Sequence, residues 1–173
     1  MLHTDTLVEY VRTATADVFT TMLDLALEHQ PGHVDGQDPA ISDGVLGFIG
    51  MAGPWAGAGV ITCSAAFACQ ICSHLLMTET DSVNEEVLDA VGEVTNMIIG
   101  GFKTLVEQET GPLGLSIPTV IFGRNFRSRS TGHQDWTVVP FQCGQEIVEV
   151  RVCLSPAANT PPRHGFSHSM LMA

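Results

Sequence analysis

Residues 82–108 hold the longest stretch of this chain that keeps a single periodicity. Val87, Val91, Val94, Ile98 and Leu105 point within about 40° of one direction when each residue advances about 100°. The pattern predicts a helix that opens at Ser82-Val-Asn-Glu85, a capping-box sequence, and runs to about Gln108, where Gly111, Pro112 and Gly114 end it. Its apolar side has to bury against the rest of the domain.

The remaining elements are read around that helix. Thr6-Leu-Val-Glu9 is a second capping-box sequence, and Leu7, Val11, Ala14, Val18, Met22 and Leu25 continue it as a helix to about Glu28. His29 to Pro39, dense in Pro, Gly and Asp, reads as a loop. Two glycine-dotted apolar runs, 45–53 and 57–64, flank Pro54, Trp55 and Ala56 and predict an antiparallel hairpin. Their glycines lack the spacing of a nucleotide-binding loop and read as turn and bulge chemistry. Ser64 caps a short helix from Ala65 to about Met77, followed by a linker, 77–83, without the glycine expected after such a helix. Strand-like runs follow at 118–123, 137–143 and 146–154, the last two joined by a tight turn at Gly144-Gln145. The order predicts an α+β fold, an antiparallel sheet covered by long helices, in one domain over 1–155. Residues 156–173, with three prolines and no periodicity, read as a flexible tail whose His164 and His168 are solvated.

Charge narrows the function. At −12, with Lys103 as its one lysine and six arginines, the surface repels phosphate backbones and anionic lipid, which argues against nucleic-acid or membrane partners. No apolar run approaches the roughly 20 residues of a membrane span, and the N-terminus has no signal-peptide pattern; the expected location is cytoplasmic. The five cysteines have no disulfide framework. Cys69 and Cys72 form a CxxC near His74, but a zinc site would need a second pair at ligand spacing, so buried free thiols are the better reading and no metal site is expected. Three arginines cluster at 124, 127 and 129, where a surface hairpin is the simpler reading and docking of an acidic partner the sharper one.

The solvent side of the long helix is unusual. Asp89, Glu93, Asn96, Gly100, Lys103 and Glu107 fall within about 40° of one line. Such a stripe is ordinarily just a solvated face. Acids and a lysine suit that role, whereas Asn costs up to about 0.7 kcal/mol and Gly about 1 kcal/mol against Ala inside a helix. Glu93 and Asn96 are i, i+3 neighbours, and Gly100 one turn on removes bulk beside the amide, so that a partner can approach closely.

Asp89-x-x-x-Glu93-x-x-Asn96, with Pro118 after 21 intervening residues, resembles the signature of the CheC/CheX/FliY chemotaxis phosphatases. The helix around it, the strand-to-helix passage at 57–76 and the strands at 118–123 and 136–155 resemble the CheX branch, so the similarity covers most of residues 5–155. The resemblance implies removal of the phosphoryl group from the aspartyl phosphate of a CheY-like response-regulator receiver domain. Asn96 would enter the regulator's active site and orient the attacking water. Glu93 would pair with the regulator's lysine, and Asp89, Gly100 and Lys103 would line the partner-binding surface. The regulator brings Mg²⁺, and the chain needs no cofactor of its own. A homodimer joined through sheet edges is implied too, with the apolar strand Ile147 to Leu154 a candidate if it lies at an edge. The alternative is a non-catalytic CheX-like adaptor that binds a response regulator without turnover. Asp5-x-x-x-Glu9-x-x-Arg12 has the frame of a second motif, but arginine cannot accept a hydrogen bond from water, so one motif is expected per chain.

Overall fold

The computed structural model describes residues 2–127 and 134–157. The tail from 158 onward, with His164 and His168, and Arg129 lie outside them. Helix α1 spans Thr4–Val18 and continues through a π-helical turn, Phe19–Leu23. Short strands β1 (Glu28–His29) and β2 (His33–Asp35) precede the hairpin β3 (Ala40–Ala52) and β4 (Trp55–Cys63). Helices α2 (Ala65–Leu76) and α3 (Glu85–Thr110) follow, then β5 (Gly114–Leu115), β6 (Thr119–Arg127), β7 (Trp136–Cys143) and β8 (Glu146–Pro156).

All eight strands join one antiparallel sheet in the order β1-β7-β8-β4-β3-β5, with β2 also on β7 and β6 also on β3. The helices lie on one face: α1 against α3 and β7, α2 against α3 and β3, and α3 across β3, β4 and β6. Between them is the main core, which includes Phe19, Phe67, Ile98, Phe102 and Phe141. A smaller cluster of Ile41, Leu46, Val60, Trp136 and Val138 fills the opposite face. The α+β expectation holds. Among the described residues, no helix is long and apolar enough to cross a membrane.

Several local expectations are corrected. The first helix begins at Thr4 with His3 as N-cap and no side-chain cap, so Thr6 and Glu9 lie inside it; burial of Leu7 and Val11 stabilises the turn that a capping box would have. It ends at Asp24 in the left-handed conformation (φ 51°), four residues before Glu28. Part of the 29–39 segment is strand, because β7 supplies hydrogen-bond partners that no local pattern reveals. Met77 (φ 54°) takes the left-handed position where a glycine was expected after α2. The strand Ile147 to Leu154 is no edge: β8 runs between β4 and β7.

The glycines of the hairpin have a role beyond turns. A Cβ on Gly47 would collide with the Thr95 side chain, and one on Gly59 with Ile99. These two bare backbone positions let α3 settle directly on β3 and β4. Thr95 is fully buried there, its hydroxyl donating to the Val91 carbonyl at 2.7 Å. Gly47→Ala should therefore destabilise the fold by about 1–3 kcal/mol through overpacking, although alanine is the better strand residue. Urea unfolding reads the sign directly, and unchanged or increased stability would contradict the close seat.

Candidate functional site

Helix α3 is fixed at both ends. Asn84, rather than Ser82, is its N-cap and accepts from the Val87 N–H at 3.0 Å. Glu85 and Glu86 occupy the first turn, where carboxylates favour the helix dipole. At the other end the chain leaves through Gly111 (φ 77°). The Glu107 carboxylate accepts from the Leu113 N–H and from Lys103 Nζ, both at 2.7 Å. These two bonds hold the Glu107 carboxyl below the usual range, the backbone donor contributing most. The exit loop is thus tied back onto the helix, and Lys103 is turned toward Glu107 rather than left free.

The middle of the outward face is different. Asp89, Glu93 and Asn96 are exposed, and among the described residues none of their side chains has a hydrogen-bond or ion-pair partner. Gly92 is buried beside them: a Cβ there would lie 3.3 Å from Val120 Cγ2 and 3.8 Å from Pro118 Cγ. The start of β6 therefore abuts α3 one residue from Glu93. Leu88, Asp89, Gly92, Glu93, Pro118 and Val120 line a groove of about 450 Å³ along this seam. So Pro118, distant in sequence, is a wall of the groove that Glu93 borders. Val120 and Gly92 complete it; neither was singled out from sequence, because only the packing of β6 on α3 gives them a role.

Chemically, the site offers a carboxylate and a carboxamide that are both accessible and uncommitted. The amide can donate and accept, and the carboxylate can only accept. The site holds no nucleophile paired with a base. Among the described residues no group of three His, Cys, Asp or Glu is placed to hold a metal ion.

The second, degenerate motif on α1 is built into the scaffold. Arg12 Nη1 pairs with Glu9 at 2.7 Å, and Nη2 donates to the Gln30 carbonyl at 3.1 Å. Arginine here straps the β1 segment to α1. Arg124 pairs with Asp43 at 3.2 Å on the exposed surface; the Arg127 side chain is not among those described.

A family comparison now has geometry to meet. The family model for chemotaxis phosphatase CheX matches residues 45–142. The chain belongs to the CheX family. That span contains the whole of α3, the seam with β6 and the paired part of the hairpin beneath them. Among solved structures, CheX from Vibrio vulnificus is 26% identical over 86% of this chain and 99% of its own, with a TM-score of 0.75. A CheC-like superfamily protein from Shewanella sp. PV-4 is 26% identical over 87% of this chain and 97% of its own, with a TM-score of 0.76. The CheX–CheY–BeF3–Mg²⁺ complex from Borrelia burgdorferi shares the fold at 24% identity over 86% of this chain and 97% of that chain, with a TM-score of 0.73. No curated protein matches significantly.

The cysteines stand apart from this CheX surface. All five are buried free thiols. Burial pushes the Cys63 thiol up to about 12, helped by the Glu146 charge, and the Cys153 thiol up to about 11. All five are closed off from reagent by burial, and thiolate is the reactive form, so native protein at pH 8 should react slowly with iodoacetamide at all five positions and fully once unfolded in urea. Fast labelling of Cys69 or Cys72 in the native state would contradict the buried-thiol reading of that pair.

Proposed function

We propose that this chain is a phosphatase of receiver-domain aspartyl phosphate, acting in the cytoplasm, with Asn96 orienting the attacking water and Glu93 docking to the receiver's phosphate-site lysine. The observation that carries the reading is the pair itself: Glu93 and Asn96 stand exposed and, among the described residues, without partners, on a helix whose flanks are held in place. The CheX family is one of chemotaxis phosphatases. The Borrelia relative is in complex with CheY, BeF3 and Mg²⁺, and BeF3 is a stand-in for a phosphoryl group.

The chemistry matches so spare a site. The receiver supplies the phosphoaspartate and Mg²⁺, and phosphoryl transfer asks mainly for alignment and charge stabilisation. A hundredfold acceleration needs about 2.7 kcal/mol. A carboxamide that accepts from water and donates toward a phosphoryl oxygen supplies that by holding the water in line. Glu93, one helical turn away on the same side, sets register against a cation while Asn96 reaches in. Asp89 extends the acidic line, and Lys103, paired with Glu107, frames its far end.

Asn96→Ala should remove the acceleration, by about a hundredfold, and leave urea stability unchanged or raised by up to about 0.7 kcal/mol. Glu93→Ala should raise KM for the phosphorylated receiver about tenfold or more with a smaller effect on kcat. The readout is phosphate release from a phosphorylated receiver domain. Equal phosphate lifetimes with wild type and Asn96→Ala, accompanied by tight binding, would favour the adaptor reading.

With β8 interior, sheet-edge dimerisation falls to β6. Among the described residues β6 pairs only with β3, and it exposes Ile121 (41%) and Phe122 (48%). A nine-residue strand with apolar side chains on both faces and one open edge is an unprotected template, and a second copy covers it by pairing β6 with β6. Phe122→Lys should shift wild-type dimers to monomers in light scattering. A dimer that persists unchanged would exclude this edge.

A further inference from the structure

We infer that Gly100 is a specificity-determining residue of the docking surface: its bare backbone admits the main chain of the receiver loop beside the phosphoaspartate, against the helix next to Asn96. This rests on the proposed phosphatase reading and assigns the point of closest approach between the two proteins.

The argument comes from comparing the glycines of α3. Gly92 is needed inside the molecule, because Val120 lies 3.3 Å from where its Cβ would be. Gly101 is needed too, because the Ala14 Cβ lies 3.2 Å away at the crossing with α1. Among the described residues, nothing lies within 4 Å of the Gly100 Cβ position. Its conformation is helical and it is only half-buried. Neither packing nor backbone geometry therefore requires glycine there, and every other residue type except proline would favour the helix more.

What Gly100 does have is position. It lies one turn beyond Asn96 on the same outward line, between the amide and Lys103. Lys103, the side chain able to swing over the gap, is held toward Glu107 at 2.7 Å. Thr104, also adjacent, turns its hydroxyl onto the Gly100 carbonyl at 3.0 Å. The result is a notch one side chain deep, floored by backbone and directly C-terminal to the proposed catalytic amide. A carboxamide has only a short reach. To place it beside a phosphoryl group seated in another protein's pocket, the rim of that pocket must come down onto the helix, and the notch is where a rim loop fits.

The experiment uses Gly100→Ala and Gly100→Leu in the full chain, with wild type and Asn96→Ala as controls, assayed for phosphate release from a phosphorylated receiver domain and for Tm. Both Gly100 variants should melt several degrees above wild type. KM should rise stepwise, severalfold for Ala and at least fiftyfold for Leu, while kcat at saturating receiver stays within about threefold. Asn96→Ala should show the reverse split. A Gly100→Leu protein with wild-type KM overturns the proposal, as does a Tm that falls in both variants, since the glycine would then serve the fold. If wild type itself fails to accelerate phosphate release from any receiver tested, the phosphatase reading has failed instead, and the two failures are distinct.

Discussion

The seating of α3 on bare backbone governs this molecule. Gly47 and Gly59 strip two side chains from adjacent strands at the points where Thr95 and Ile99 come down. That contact fixes the height of the helix above the sheet and also its rotation. With Thr95 and Ile99 pressed inward, Asn96 one step around faces solvent, and so does Glu93. An extra methyl at either strand glycine would lift or roll the helix and move both groups together. Overpacking in a dense interior is relieved by displacement of neighbours, and here the neighbour is the element that carries the site.

A helix seated this way separates the residues that hold the fold from those it displays. The energetic work of folding is done by the inner arc of α3 and the core beneath it, where Val87, Val91, Val94, Ile98, Ile99, Phe102 and Val106 are essentially inaccessible to water. The outer line contributes little to the fold, so its residues are free to be chosen for what they present. Held by the Asn84 cap and by the Glu107 clasp, the helix backbone presents Asn96 and Glu93 from a fixed place.

Features that depend on local periodicity or turn chemistry were legible in the sequence. The two faces of α3, the β3–β4 hairpin, the Ser64 cap and the Gly144 turn all follow from residues near one another in the chain. The acid–amide spacing was legible for the same reason, since a helix converts spacing into geometry. What escaped depends on distant partners. β1 and β2 exist because β7 offers its edge, and β8 is interior because β4 and β7 flank it. The strand glycines looked like turn chemistry until α3 was placed over them. The capping-box pattern points to Ser82, whereas the cap falls two residues on at Asn84, because the first turn is set by burial of Val87 rather than by local pattern. The groove needed Pro118 and Val120 beside Gly92, a meeting of segments more than twenty residues apart.

The pairing of Lys103 with Glu107 also sets the electrostatics of the outward face. The chain's one lysine is neutralised within its own helix, and the carboxylates that border the amide repel oxyanions. A small free oxyanion therefore finds no unpaired cation on α3 to retain it. Whatever docks on this face is selected by its shape and its own positive charge, and a loose anion does not compete with it for the surface.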